Sequence, residues 1–261
     1  MSWKFSYCCV AGSPQFRESC FVRDFETLQQ MESEGRGLRN DNRDLVICSV
    51  DSWERSAAYL VITSTLPLSD RAVWRHVWDS QVELLITFLS ESVKDDLALF
   101  SSSKFIGSYQ LQLESEKEMG DYIVRTLKVR NRGCTRSLTQ LVFMSWPPPA
   151  SGLAPGRSSL LSLVRESSQL QRTARGPGPV ILWTPASLGP DPCVFWMCLD
   201  TMSRMMRTSG DTNLSHYSRH LASRHGLSLS SPELYISLHD SLAWAIQHEK
   251  LDTEHATVRY I

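Results

Sequence analysis

Thr63–Glu91 reads TSTLPLSDRAVWRHVWDSQVELLITFLSE, and two periodicities meet in it. Val73 and Val77 stand four residues apart, as do Trp74 and Trp78, which puts each pair on one face of a helix. Asp70 precedes the run, where a short carboxylate can cap the free N–H groups of a helix start. From Val82 to Ser90 the pattern becomes an apolar run of strand length. A capped amphipathic helix that feeds a buried strand implies a sheet covered by helices.

Working outward, LVICSV (45–50) and AAYLVITS (57–64) are further strand candidates. Residues 31–44, MESEGRGLRNDNRD, are polar, charged and punctuated by glycine, and read as a loop. Downstream, SYQLQLES alternates Tyr109, Leu111 and Leu113 with polar neighbours, the pattern of a half-buried strand. DYIVRTLKVRN and LTQLVFMSW follow as its partners, and PPPASGLAPGRS is a proline- and glycine-rich loop. PVILW begins a buried strand at Pro179, and helices are expected at 158–170, 192–207, 213–223 and 231–249. The expected class is α/β: a twisted mixed β-sheet flanked by helices. The expected organisation is an N-terminal segment 1–41, partly disordered, a domain over 42–250, and a tail at 251–261.

The 261 residues are 42% hydrophobic with eight tryptophans, enough for a substantial core. Net charge is −1 and the arginines are scattered along the chain, which argues against nucleic acid as a partner and reads as a solvated surface. The seven cysteines show no paired spacing, the pattern of reduced thiols in a cytoplasmic protein. No signal-peptide pattern opens the chain and no apolar run reaches membrane-spanning length, so no membrane insertion is expected.

Thr63–Glu91 resembles a characteristic segment of the protein tyrosine phosphatase family, of the tyrosine-specific type. The register holds without a gap from Tyr59 to Ser90, with Leu66, Pro67, Trp74, Val77, Trp78 and Val82 on matching positions. ESEKEMGDYIVRTLKV, LVFMSWPPPASG with the SLLSLVRESS after it, PVILW…VFWMCLDTM and SSPELYISL are similar to four more family segments, in the same order. The spacing and LTQLVFMSW are also similar to the endosomal His-domain member of the family, which would imply sorting partners.

What the resemblance implies chemically is a nucleophilic cysteine on a loop of N–H groups, an arginine that grips phosphoryl oxygens, an aspartic acid that protonates the leaving oxygen, and a glutamine that positions water. The phosphate loop falls on Trp183, Thr184, Pro185, Ala186, Ser187, Leu188, Gly189 and Pro190. Aligned from the strand, the nucleophile position is Trp183 and the arginine position Gly189. Aligned from the helix, they are Ala186 and Pro192. Neither register supplies a thiol or a guanidinium, and no arginine occurs from Gly176 to Ser203. Pro185, Pro190 and Pro192 also remove N–H donors. The acid loop reads Trp146, Pro147, Pro148, with proline where the acid should stand. The glutamine position is Leu234, or Glu233 with a shift of one, and Asn42, Arg43 and Asp44 stand where the family carries a substrate-clamping tyrosine. The expectation is a catalytically inactive phosphatase-like domain: a protein-binding or scaffolding module in signalling or trafficking. A divergent active phosphatase and a truncated relic of marginal stability are the alternatives.

A literal C-x5-R motif, Cys198 to Arg204, also occurs. On a helix six residues span about 9 Å of rise and about 240° of rotation, so the two side chains leave on different faces. The expected role of Cys198 is a buried core thiol. Asp191 is expected to cap that helix, with Pro192 as its first residue. His216 and His220, four apart with His225 nearby, could present zinc ligands, but no acidic or cysteine partner stands at motif spacing, and no metal or cofactor is expected. A residual pocket would lie near Trp146, Trp183 and Ser187 and would be apolar.

Overall fold

The computed structural model describes residues 14–35, 44–90, 104–147, 154–174, 176 and 178–258. The chain forms two compact units, residues 39–193 and residues 1–38 with 194–261.

The first unit is a twisted eight-stranded mixed sheet. Its strands are β1 (Leu45–Val50), β2 (Tyr59–Ser64), β3 (Leu84–Phe88), β4 (Lys104–Ile106), β5 (Tyr109–Glu118), β6 (Tyr122–Asn131), β7 (Cys134–Phe143) and β8 (Val180–Pro185). They lie in the order β1-β2-β8-β3-β7-β6-β5-β4. β2, β8, β3 and β7 run parallel to one another, whereas β7, β6, β5 and β4 form an antiparallel meander and β1 pairs antiparallel to β2. Every residue of β3 is buried, and β8 is buried up to Thr184, as parallel strands covered on both faces require.

The helix expected after Asp70 is α2 (Arg71–Asp79). Asp70 accepts a hydrogen bond from the N–H of Ala72 at 2.7 Å. Val73, Trp74 and Val77 enter one core cluster with Ile62, Leu85, Leu127 and Ile181 of the sheet. The indole of Trp74 donates to the carbonyl of Leu68 at 2.7 Å, so burying this large ring leaves no polar atom unmet. A further helix, α3 (Arg157–Thr173), buries Leu160, Leu161, Leu163 and Val164.

The second unit consists of helices: α1 (Pro14–Gly35), α4 (Asp191–Ser209) from Val194 onward, α5 (Leu214–His225) and α6 (Pro232–Val258). α1 was not expected. Met31–Gly35 is helical where composition points to a loop, and residues 36–43 lie outside the described residues. Phe25 and Leu28 of α1 are buried, and Phe21 stacks on His239 at 4.3 Å between ring centroids. These apolar residues sit at i, i+4 and i+7, on one face of the helix, with Arg23 and Glu26 exposed between them. α6 runs to Val258, past the expected helix end and through much of the presumed tail. The short β4 was also unforeseen. β7 ends at Phe143, so the last residues of LTQLVFMSW leave the sheet as loop.

Asp24 ties α1 to the other helices. Its carboxylate accepts from the Tyr235 hydroxyl at 2.6 Å and from Arg219 at 2.6 Å. Burial disfavours the charge, but the hydrogen bonds of Tyr235, Arg219 and Ser215 and the Arg219 charge outweigh it and hold the carboxyl below its usual range. The Arg219 side chain is half exposed, so the Tyr235 bond carries more of the energy. Asp24→Ala is expected to lower the unfolding free energy by about 2 kcal/mol and Arg219→Ala by under about 1 kcal/mol, measured by urea unfolding.

His239 packs between Phe21 and Tyr235, and burial pushes its imidazole down to about 4, only partly offset by Asp24. The folded state therefore keeps the ring neutral, while the unfolded chain takes up a proton below its ordinary 6.5. The resulting stabilisation is complete above about 6.5 and is lost as pH falls from there towards about 4. Unfolding free energy measured across that window should fall with pH in the natural chain and fall less in His239→Phe.

Candidate functional site

Parallel strands leave their carboxyl ends on one edge of a sheet, which is where open α/β sheets place their ligand-binding loops. The segments that resemble catalytic loops leave from these ends: Ala186–Pro190 after β8, and Met144 onward after β7.

Trp183 lies within β8, opposite Ile62 of β2 and Thr87 of β3, and is 1% exposed. Its indole N–H is buried without a hydrogen-bond partner. In the strand-based alignment, a large apolar ring thus occupies the nucleophile's position. Thr184 is buried, Pro185 and Pro190 are half-buried, and Ala186 and Ser187 are exposed. Leu188 turns inward and is 4% exposed.

The backbone donors of this loop are largely used within the fold. The N–H of Ala186 donates to the carbonyl of Ser64 at 2.7 Å, that of Leu188 to Pro185 at 3.0 Å, and that of Gly189 to Ala186 at 3.2 Å. Pro185, Pro190 and Pro192 have no N–H. Gly189 has φ +64°, a left-handed conformation open to glycine, and it closes the tight turn. A phosphate cradle needs several N–H groups converging on one point; here the loop curls on itself.

α4 begins at Asp191, the expected cap, one residue before the expected first helical residue Pro192, and Asp191 is buried at the helix start. Cys193 follows in the first turn and is fully buried. Burial pushes its thiol far up, and the charge of Asp191 adds to the effect. Cys198 is 1% exposed and pushed up to about 12 by burial, with a hydrogen bond to Ser218 only partly opposing it. Arg204, the other end of the C-x5-R motif, donates from Nε to Asp200 at 3.0 Å. The motif is a buried thiol and a separate ion pair on one helix.

At the acid loop, the Trp146 N–H donates to the Leu89 carbonyl at 3.1 Å, and its ring packs edge-on to Phe88 at 6.2 Å. Pro147 is half-buried, and Pro148 lies outside the described residues. Asn42 and Arg43 also lie outside them. Asp44 is structural: its carbonyl accepts from the N–H of Thr65 at 3.0 Å and the hydroxyl of Ser64 at 3.1 Å. Within the helical unit, Glu233 is exposed and Leu234 half-buried in the first turn of α6, where Ser231 Oγ accepts from the Leu234 N–H at 3.3 Å. On α5, His216 is exposed, and the ring of His220 lies 5.4 Å from that of His225 and 6.3 Å from that of Tyr217. The cavities near α2 and near the end of α3 include none of Trp146, Trp183 and Ser187.

The fold and its segments have counterparts among known proteins. The family model described as protein-tyrosine phosphatase matches residues 26–244. Receptor-type tyrosine-protein phosphatase zeta of Rattus norvegicus is 26% identical over 212 residues, 76% of this chain and 9% of that protein. Tyrosine-protein phosphatase non-receptor type 7 of Homo sapiens is 24% identical over 216 residues, 80% of this chain and 58% of that protein. The chain therefore matches only part of the length of each. The catalytic-domain structure of human protein tyrosine phosphatase non-receptor type 18 superimposes with a TM-score of 0.71 at 21% identity, covering 87% of this chain and 96% of that one. The chain belongs to the protein-tyrosine phosphatase family.

Proposed function

We propose that this chain uses the phosphatase fold as a protein-binding or scaffolding module without phosphatase chemistry. The observation that carries the reading is the loop after β8. Its donors at Ala186, Leu188 and Gly189 are bonded within the fold, and prolines stand at 185, 190 and 192. A dianion brought there would lose its hydration and find few N–H groups to replace it. The thiols nearest in sequence, Cys193 and Cys198, are held protonated by burial, so neither offers the thiolate that attack on phosphorus needs.

We place the module in the cytoplasm, in signalling or trafficking, on the unpaired spacing of the seven cysteines and the family to which the chain belongs. Among the described residues no helix is long and apolar enough to cross a membrane.

The test follows thermal stability and aryl-phosphate turnover in the same samples, with vanadate and with a phosphotyrosine peptide. The expected result is a cooperative melt that neither ligand shifts, and no turnover above buffer. Turnover abolished by Cys198→Ser would make the C-x5-R motif a working site and overturn the reading. A melt raised by the phosphotyrosine peptide without turnover would instead make the chain a phosphotyrosine reader.

A further inference from the structure

Four arginines that are scattered in the sequence gather on the sheet unit. Arg71 and Arg75 lie one turn apart on α2. Arg132 and Arg136 come from the hairpin of β6 and β7, where Asn131 pairs with Cys134 across a two-residue turn. Arg132 and Gly133 both have positive φ, +49° and +82°, as a tight hairpin turn of this hand demands. With Trp78 and Asn131, these side chains line an open cleft of about 1030 Å³.

The charge in the cleft is unbalanced. Against Arg71, Arg75, Arg132 and Arg136 stand Asp70 and Asp79, an excess of two positive charges (4 − 2). Both carboxylates already have structural roles. Asp70 caps α2, and Asp79 lies 3.5 Å from Arg75 in an exposed pair. His76, on the same wall, is shifted toward its neutral form by burial and by the neighbouring charge of Arg75, against the opposing Asp79. Arg136 is anchored: it donates to the Trp78 carbonyl at 2.6 Å and lies 4.1 Å above the indole. Arg71 and Arg132 are exposed and make no hydrogen bond or ion pair among the described residues. The stem of Arg71 lies over Gly107, where a Cβ would come within 2.7 Å of its Cδ, so the missing side chain seats it.

The excess of positive charge defines what the cleft would take. Asn131 lies at its wall, 9% exposed, with its side-chain oxygen buried in the fold. A suitable ligand therefore carries carboxylate groups for Arg71 and Arg132, because guanidinium forks match carboxylates in geometry. An extended peptide with Asp or Glu side chains supplies them.

We infer that this cleft is a docking groove for a carboxylate-rich segment of a protein partner. The inference rests on the protein-binding reading above and names the chemistry of what is bound. The groove belongs to α2 and the β6–β7 hairpin, apart from the loops that resemble catalytic ones.

The experiment uses the whole chain and a short fluorescein-labelled peptide of alternating glutamate and alanine, followed by fluorescence anisotropy. A glutamine version of the peptide, inorganic phosphate and a single-stranded oligonucleotide serve as competitors. Expected are saturable binding that weakens as salt rises, a loss of about tenfold or more in the Arg71→Glu, Arg132→Glu double variant, and no loss in Arg165→Glu, an exposed charge on α3 outside the cleft. Melting temperatures of the variants are compared first. If the double variant unfolds, Arg71→Gln with Arg132→Gln takes its place with the same expectation. Absence of binding, equal loss in Arg165→Glu, or stronger competition by phosphate or the oligonucleotide than by unlabelled acidic peptide would each overturn the groove. Aryl-phosphate turnover in the same samples separates the two failures: turnover sinks the protein-binding reading, whereas its absence with no peptide bound sinks only the groove.

Discussion

β8 is held from both sides. Its residues pair in parallel with β2 on one edge and β3 on the other, so the path of the chain through the middle of the sheet is set by two ladders of backbone hydrogen bonds. Side-chain chemistry has little influence on that path. The burial of Val180 to Thr184 asks only for residues that tolerate a dry interior. Where β8 ends is fixed in the same way, because Ala186 still donates to the carbonyl of Ser64 at the end of β2. A loop that leaves from this point stands at the carboxyl edge of the parallel strands whatever residues it contains. The position of such a loop and its chemistry are thus separable, and the stretch from Trp183 to Pro192 holds this position with no cysteine and no arginine in it.

The same separation explains what the sequence revealed. α2 was legible because Val73, Trp74 and Val77 repeat with helical spacing behind a capping aspartate, and each of those features reports local physics. That Trp183 to Pro192 contain no cysteine and no arginine is legible directly, because it is a matter of residue identity. α1 was hidden: Phe21, Phe25 and Leu28 are a thin apolar stripe in a charged segment, and their burial depends on helices about two hundred residues away, as the Asp24–Tyr235 hydrogen bond shows. β4 is three residues long, with Lys104 and Phe105 exposed, so it carries little pattern. The turn that uses the loop's donors depends on the left-handed backbone at Gly189, which no periodicity reports.

Tertiary placement also changed the meaning of the arginines. Read along the chain they looked like a dispersed solvated surface. Arg71 and Arg132 lie on elements distant in sequence, and only the β6–β7 hairpin and α2 bring them to one cleft. Such clusters are invisible to spacing rules because every spacing involved is a property of the fold.

Cys193 shows why location alone does not make a nucleophile. It sits in the first turn of α4, and thiols at helix N-termini are commonly lowered in pKa by the free N–H groups and the aligned peptide dipoles. That effect amounts to roughly half a unit charge. Against it stand complete removal from water and the carboxylate of Asp191 two residues earlier, and the balance falls well on the side of the protonated thiol. Transferring a thiolate from water is favourable only where an anion-binding shell replaces the water, and Pro185, Pro190 and Pro192 bring no N–H to the loop before this helix. Substituting a cysteine at Trp183 or Ala186 alone would restore a sulfur atom without the donors that make it react.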